Sequence, residues 1–246
     1  MRGNEEHWFE GIADDLGSSY LRYSFTMGTA NEVRFLIDEL QLAPGMRVLD
    51  VGCGPGRHAH ALAELGIDVH GVDIAETFIE LARTDAPPGA TFERLDARAL
   101  PFDGDFDAVI SLCQGAFGLA GGSGSAGADP DGVVLDGMAR ALRHGGRLAV
   151  SAFSAYFQMR WLEETDTFDA DTGVNHEEAR LRGPDGSETT RDLWTTCFTP
   201  RELRLLAARA GLRVDAIWSV TPGDYARRAP ELDRPEFLLV ATRPSN

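Results

Sequence analysis

Short apolar runs alternate with longer amphipathic stretches along the chain as far as residue 153. The apolar runs have the length and the Val, Ile, Leu and Phe content of buried strands, at 48–51, 67–73, 91–96, 106–113 and 147–153. Between them, apolar residues recur three or four positions apart, as they do along one face of a helix. Because a strand, a helix and a second strand form a right-handed parallel crossover, this alternation predicts an α/β fold. We expect a doubly wound parallel sheet with helices on both faces.

The alternation breaks off after residue 153 and resumes near residue 199. Two extended segments, 173–182 and 188–198, flank a Gly-Pro-Asp-Gly turn sequence at 183–186, so they predict an antiparallel hairpin inserted over the sheet. After a further helical stretch, 212–220 and 237–242 predict two closing strands.

Two helix starts carry capping signals. Thr199 is followed by a proline and, three positions on, by Glu202, which together predict the start of a helix. Thr29 and Glu32 have the same spacing and predict a capping box, in which a hydroxyl and a carboxylate satisfy free N–H groups at the helix start.

These patterns divide the chain into four predicted segments. They are an N-terminal helical flap (1–27), a core (28–153), an inserted lid (154–198), and a C-terminal helix with the closing strands of the core (199–246). The flap is rich in aromatic residues and contains a helix predicted over 5–14. It either covers a bound cofactor and the substrate pocket or packs as an ordinary helix on the edge of the core. A Gly- and Ser-rich stretch at 119–127 predicts a surface loop.

Composition excludes several functions. The net charge of −16 opposes nucleic-acid binding, because neutralising phosphates takes clustered Lys and Arg. No run reaches the roughly 18 apolar residues that a membrane span needs, and the N-terminus is too polar for a signal peptide. The 3 cysteines are scattered, so they predict no metal site and a cytoplasmic protein. All 23 basic residues are arginine, which excludes a Schiff-base lysine, a P-loop lysine and a Tyr-x-x-x-Lys pair.

A glycine turn follows the first predicted strand and opens a helix. Gly52, Gly54 and Gly56 allow a tight backbone path that brings a ligand against main-chain N–H groups. The spacing is G-x-G-x-G, whereas a dinucleotide fingerprint is G-x-G-x-x-G. Asp50 stands beside the turn, where it would repel a pyrophosphate and attract a cation. The alternative is a purely structural tight turn.

Acidic residues end the next two predicted strands. Asp73 follows Gly52 by about 20 residues, the separation at which an acid accepts hydrogen bonds from ribose hydroxyls. Asp96 ends the third strand, where it can accept from the exocyclic amine of adenine. In the alternative interpretations, Asp73 only caps a helix and Asp96 is an ordinary loop residue.

Taken together, these motifs resemble the class I S-adenosylmethionine (SAM)-dependent methyltransferase family, of the small-molecule type. The resemblance covers about residues 30–153 and 199–243, and rests on 48–56, 72–73, 95–97, 106–113 and 144–148. It implies a seven-stranded, mostly parallel sheet whose last strand is antiparallel. It also implies SAM as cofactor, S-adenosylhomocysteine (SAH) as product, and in-line methyl transfer to an N or O nucleophile of a small molecule.

The resemblance further implies which residues hold the cofactor. Asp50 would hold the amino end, Asp73 the ribose and Asp96 the adenine amine. The full implied set is Asp50, Gly52, Cys53, Gly54, Gly56, Asp73, Ile74, Asp96, Ala97, Cys113, Gln114 and Gly115.

The methyl acceptor is not identified by the sequence. Aromatic residues in the flap and the insert suit a small, partly apolar acceptor, although they can equally pack the two segments together. The predicted pocket residues are Tyr20, Tyr23, Phe117, Tyr156 and His176. His7 and His176 lie in the two pocket-forming segments, but a surface position is the favoured interpretation of each, so no catalytic base is assigned. Three other functions stay open. One is a SAM-binding protein without transferase activity. Another is a nicotinamide-dependent oxidoreductase, against which the glycine spacing and the missing lysine argue. The third is a macromolecular methyltransferase, for which the net charge of −16 disfavours RNA as the substrate.

Overall fold

The computed structural model describes residues 7–113, 115–122 and 129–245. Its α-helices are α1 (Trp8–Leu16), α2 (Thr29–Leu40), α3 (Arg57–Ala63), α4 (Glu76–Arg83), α5 (Pro130–Ala141), α6 (Ala155–Arg160) and α7 (Pro200–Arg209). Its strands are β1 (Arg47–Val51), β2 (Asp68–Asp73), β3 (Ala90–Arg94), β4 (Phe106–Ser111), β5 (Leu142–Ser154), β6 (Thr167–Asp169), β7 (Val174–Arg182), β8 (Glu188–Phe198), β9 (Arg213–Val220) and β10 (Glu236–Thr242). Part of the loop predicted at 119–127 and the first residues of the helix predicted over 5–14 lie outside the described residues.

Seven strands form the core of the sheet, in the order β3, β2, β1, β4, β5, β10, β9. The first five are parallel, and β10 is antiparallel to both of its neighbours. The predicted doubly wound sheet with an antiparallel last strand is therefore confirmed. The reversal of strand order beside β1 places a crevice at the carboxyl ends of β1 and β4, which is where open α/β sheets bind ligands.

The inserted hairpin is larger than predicted. Its two long strands, β7 and β8, pair over their whole length, and the short strand β6 adds to the free side of β7. At its far end β8 also pairs in parallel with β5, through Phe153 with Cys197 and Ser154 with Phe198. The insert thus continues the main sheet, which raises the strand count from seven to ten.

Helices cover both faces of the sheet because neighbouring strand residues point to opposite sides. Val48 packs with Leu36 of α2 and Leu62 of α3 on one face. Leu49 packs with Met138 of α5 and Leu203 of α7 on the other. Each face is a separate apolar cluster, so both sides of β1 are fully buried. No helix in the described ranges is both long and apolar enough to cross a membrane.

The capping box predicted at Thr29 and Glu32 is wrong. Helix α2 is preceded by Gly28, and no side chain caps it. Glu32 is instead fully buried, and it accepts hydrogen bonds from Arg57, from His58 Nε2 at 2.7 Å and from the Gly223 amide at 2.7 Å. One carboxylate therefore joins α2, the start of α3 and the turn before β10.

The charge state of this group follows from its surroundings. Burial acts to raise the pKa of Glu32, but hydrogen bonds from His58 and Arg57 and the positive charge of Arg57 bring it down to about 2. Burial lowers the pKa of His58 even though Glu32 opposes the shift. We therefore assign His58 as a neutral donor and Arg57 as the positive partner of the buried carboxylate.

Glu32→Gln removes the negative charge beside Arg57 while keeping the size of the side chain. Since loss of one partner leaves a buried charge uncompensated, we expect the free energy of unfolding to fall by about 3–5 kcal/mol at neutral pH. Urea titration measures this quantity. Because the pKa of Glu32 is held near 2, below its usual 4.5, its contribution is present above pH 4.5 and is lost as the pH falls towards 2. The difference between wild type and variant should therefore shrink in that range.

Glu76→Gln is the control, because Glu76 forms an ion pair with Arg83 in which both side chains are exposed. That variant should change the free energy of unfolding by no more than about 0.5 kcal/mol. A Glu32→Gln protein as stable as the wild type at neutral pH would contradict the role given to the buried carboxylate.

Candidate functional site

The glycine turn has the tight backbone path predicted from its sequence. Gly52, Gly54 and Gly56 have φ angles of 71°, 54° and 82°, all in the left-handed region that favours glycine. Gly52 also lies against Gly115, which follows β4, so closely that an added Cβ would be 2.0 Å from the Gly115 carbonyl carbon. The ends of β1 and β4 are therefore in direct backbone contact.

Asp73 ties this turn to the end of β2. One carboxylate oxygen accepts from the Gly54 amide at 2.8 Å, and the other accepts from the Ala75 amide at 2.9 Å. Burial raises the pKa of Asp73 to about 6, even though these N–H groups act to lower it. A carboxylate at this position organises the turn and leaves lone pairs for a ligand.

Asp50 lies underneath the turn. It is 1% exposed, and its Oδ2 atom has no hydrogen-bond partner among the described residues. Burial raises its pKa to about 7, with Arg57 opposing the shift and Asp73 adding to it. Asp50 lines neither of the two spaces described next, and the same holds for Cys53 and Gly56, which support the turn from behind.

A narrow cleft of about 30 Å³ runs from the turn towards β3. Its walls include six residues of the implied cofactor set: Gly52, Asp73, Ile74, Asp96, Ala97 and Gly115. His7 and Phe9 close it from the N-terminal side. This volume holds little more than a water molecule, so an adenine ring enters only if the walls move apart.

Asp96 is held at the edge of this cleft by Arg98. The guanidinium donates to both carboxylate oxygens, at 2.7 to 3.0 Å, and the Arg98 amide donates at 2.9 Å. Burial acts to raise the pKa of Asp96, but these hydrogen bonds bring it below its usual value. Across the cleft, His7 caps α1 through its Nδ1 atom, and burial lowers the pKa of its imidazole.

A larger cavity of about 430 Å³ opens on the other side of the turn. The predicted residues Gly54, Cys113, Tyr20 and Tyr23 line it, together with Gly52, Asp73 and Gly115, which also line the cleft. Cys113 has a φ of 50°, and its sulfur accepts from the Arg57 guanidinium at 2.7 Å. Gln114 lies outside the described residues.

Several wall residues were not predicted from the sequence. They are Phe9, Ile12, Leu16 and Phe25 from the N-terminal segment, Glu177, Leu181, Leu193 and Thr195 from the hairpin, and Phe153, Pro235 and Glu236 from the core. The strand period of two was an available signal, because Glu177 and Leu181 point to one face of β7. The sequence did not indicate which face is the inner one.

Three residues predicted for the pocket do not line it. Phe117 is fully buried and stacks on Phe198 inside the core, with ring centroids 4.7 Å apart. Tyr156 lies on α6 with 42% of its surface exposed. His176 is on the opposite face of β7 from Glu177, where it contacts Asp192 at 2.8 Å and stacks on Trp194.

Helix α1 is attached both to the core and to the insert. Glu10 contacts Arg94 at the end of β3, and Asp14 contacts Thr77 on α4. On the other side, Asp15 accepts from Arg191 Nε at 2.7 Å and from the Thr189 hydroxyl at 3.0 Å. These contacts hold α1 above the glycine turn, between the cleft and the hairpin.

Comparisons with known proteins bear on the family and on the fold. A family model described as a methyltransferase domain matches residues 48–146. A demethylmenaquinone methyltransferase from Beutenbergia cavernae is 38% identical over 154 residues, which are 61% of this chain and 60% of that protein. The chain therefore matches less than two thirds of the length of this relative.

Solved structures with the same fold share less sequence. The CcbJ methyltransferase of Streptomyces caelestis has a TM-score of 0.70 at 20% identity, covering 89% of this chain and 95% of that one. CalS10, an amino pentose methyltransferase from Micromonospora echinaspora solved with SAM bound, has a TM-score of 0.62 at 22% identity, covering 92% and 95%. Together with the strand order described above, these findings show that the chain contains a methyltransferase domain at 48–146 and has the fold of class I SAM-dependent methyltransferases.

Proposed function

We propose that the protein transfers a methyl group from SAM to a small, largely apolar acceptor. The observation that carries this proposal is the connection between the cleft and the cavity. Both spaces share Gly52, Asp73 and Gly115, so they meet at the glycine turn. A cofactor seated along the cleft would present its reactive end to a molecule in the cavity.

The residues present fit SAM. Asp73 offers carboxylate lone pairs beside the cleft, and the apolar side chains of Ile74, Leu95 and Ala97 suit the faces of an adenine ring. The raised pKa of Asp50 and its unsatisfied Oδ2 atom below the turn are relieved when a cation binds nearby. When bound, SAM supplies an electrophilic methyl group.

The protein's own residues would contribute by positioning the methyl donor and the acceptor and by excluding water from the cavity. A methyl donor and an acceptor held in line gain up to roughly 7–11 kcal/mol over the reaction of free molecules. The aromatic wall formed by Phe9, Tyr20, Tyr23 and Phe25 limits how an acceptor can lie in the cavity. In this proposal, segments 1–27 and 154–198 are the cover of the site, and 28–153 with 199–246 is the cofactor-binding core.

The shape and charge of the chain favour a small acceptor. A cavity of about 430 Å³ is in the range of small-molecule sites. The net charge of −16 disfavours nucleic acid, and the scattered cysteines fit the cytoplasm. Relatives named for demethylmenaquinone and ubiquinone methylation support an acceptor with an apolar ring system.

Asp73→Asn keeps the shape of the side chain but puts an amide where the ribose of the cofactor would donate. We expect the dissociation constant for SAH to rise by about tenfold or more, because hydroxyl donors would lose a charged acceptor. Isothermal titration calorimetry measures it. Since burial raises the pKa of Asp73 to about 6, SAH binding to the wild type should also weaken as the pH falls below that value.

Asp68→Asn is the matched control, because Asp68 begins the same strand and is exposed at its far end. It should bind SAH like the wild type. Equal affinity in the Asp73 variant would remove the ribose role, and stabilisation of the wild type by NADH but not by SAH would favour the oxidoreductase alternative.

Loosening α1 should speed the release of the cofactor product. The double variant Glu10→Gln with Asp14→Asn loses the charged contacts to Arg94 and Thr77, worth about 1–2 kcal/mol together. We expect SAH to dissociate about tenfold faster in stopped-flow measurements at low salt. The difference from the wild type should narrow as salt screens the Glu10 ion pair.

Glu80→Gln provides the comparison for this pair, since Glu80 is an exposed acid on α4. Its SAH dissociation rate should match that of the wild type. If the α1 double variant also releases SAH at the wild-type rate, α1 does not retain the cofactor.

A further inference from the structure

The loop that follows β4 forms a wall common to the cleft and the cavity. We call residues 115–121 the β4 loop. Gly115 and Leu119 line both spaces, and Ala116 and Ala120 line the cleft. A shift of the β4 loop would therefore change the wall of the cofactor site and the wall of the acceptor site at the same time.

Asp131, in the first turn of α5, holds the middle of this loop. Its Oδ1 atom accepts from the Gly118 amide at 2.6 Å, and its carboxylate also accepts from the Ala120 amide. The residue is 3% exposed. It lines neither the cleft nor the cavity, so it acts on these spaces only through the residues that it contacts.

The same carboxylate reaches the inserted hairpin. The Thr196 side chain on β8 donates a hydrogen bond to Asp131, and the Thr196 amide donates to the Gly118 carbonyl at 2.8 Å. Because neighbouring strand residues point to opposite faces, Thr195 lines the cavity while Thr196 points towards α5. Asp131 therefore joins the loop on the cofactor side to the strand on the acceptor side.

The role of Asp131 differs from that of an ordinary acid at a helix start. Such an acid can simply favour the positive end of the helix dipole. In α5, however, Asp129 already caps the helix by accepting from the Gly132 amide at 2.8 Å. The donors to Asp131 described above lie on the β4 loop and on β8. Burial raises the pKa of Asp131 although these hydrogen bonds act to lower it, so they offset part of the cost of burying the charge.

The end of the β4 loop contacts α1 through an indole group. Trp8 Nε1 donates to the Gly121 carbonyl at 2.5 Å, and the Trp8 ring packs edge-on against Trp194 of β8 with centroids 5.5 Å apart. Gly121 follows Ala120, which Asp131 holds. The indole N–H of Trp8 is therefore a spectroscopic reporter of the position of the loop.

We propose that Asp131 is a positioning residue for methyl transfer, which fixes the β4 loop and makes cofactor affinity depend on its attachment to the insert. This inference rests on the proposed methyltransferase function. Asp131 acts through Gly118, Ala120 and Thr196 and contacts neither ligand. Position matters here because a misplacement of about 1 Å can slow a reaction by about a hundredfold.

Asp131→Asn keeps the size of the side chain but replaces one acceptor oxygen with a donor amide. We expect the dissociation constant for SAH, measured by isothermal titration calorimetry, to rise by about fivefold, because the wall of the cleft loses its anchor. In heteronuclear NMR spectra without ligand, the indole resonance of Trp8, identified by its absence in Trp8→Phe, should shift. The indole resonance of Trp218, which donates to Glu39 at 3.2 Å, should stay in place.

Thr196→Val tests the connection to the insert. The substitution keeps the shape of the side chain and removes the hydroxyl donor. It should weaken SAH binding by about twofold to threefold, although Thr196 lies outside the cleft. In the double variant with Asp131→Asn, the change at Thr196 should add almost nothing, because both substitutions break the same connection.

Asp136→Asn is the matched control, because Asp136 lies on the same helix and 46% of its side chain is exposed at its contact with Arg209. It should bind SAH like the wild type. Urea titration shows which variants are folded. A folded Asp131→Asn protein with wild-type SAH affinity, an unmoved Trp8 resonance, or additive effects in the double variant would each overturn the inference. If Asp131→Asn does not fold, Thr196→Val decides alone, and wild-type SAH affinity in that variant overturns it.

The same measurements separate the two proposals. A wild type that fails to bind SAH defeats the proposed function, whereas the Trp8 resonance, which needs no ligand, still shows whether Asp131 positions the loop. A wild type and an Asp131→Asn variant that bind SAH equally well defeat only the role given to Asp131.

Discussion

The arrangement of the site depends on one buried carboxylate, which connects the end of β2 to the turn after β1. Asp73 ends β2 and accepts the amide of Gly54 in the turn after β1, as well as the amide of Ala75 before α4. The turn can therefore take its left-handed path while its N–H groups stay satisfied. The same carboxylate lines both the cleft and the cavity. In the proposed function Asp73 serves both folding and ligand binding, so a variant here must be judged by affinity and stability together.

The features predicted correctly from the sequence are those that depend on residues close together in the chain. The strands of the core were found from their apolar runs, and the glycine turn from three positions that need positive φ. The capping box failed because the partners of Glu32, which include Arg57 and Gly223, are distant in sequence. The contact between Gly52 and Gly115 was hidden for the same reason. Sequence spacing can indicate that a residue has a structural role, but it does not identify a partner that is distant in the chain.

The pocket was harder to predict than the turn, because the number of aromatic residues in a segment does not show whether their side chains face the cavity or the core. Tyr20 and Tyr23 line the cavity, whereas the ring of Phe117 fills the core. On β7, a shift of one residue separates Glu177 on the wall from His176 on the outer face. Which of the two faces lies inward depends on how β8 joins β5, and that pairing involves only two residue pairs. The alternation of residues within the hairpin therefore does not show which face of β7 lies inward.

The cover of the site combines an apolar inner surface with weak polar attachments. Ile12 and Leu16 of α1 pack against Leu181 of the hairpin, while Glu10 and Asp15 make partly exposed ion pairs at the edges. Exposed pairs contribute little stability each and are screened by salt. Separating α1 from the core therefore exposes the apolar side chains of Ile12 and Leu16, and the ion pairs set only the salt-dependent part of the cost. In the proposed function, an adenine ring enters the cleft of about 30 Å³ only after such a separation, so we expect ionic strength to affect cofactor exchange through the acidic residues of α1.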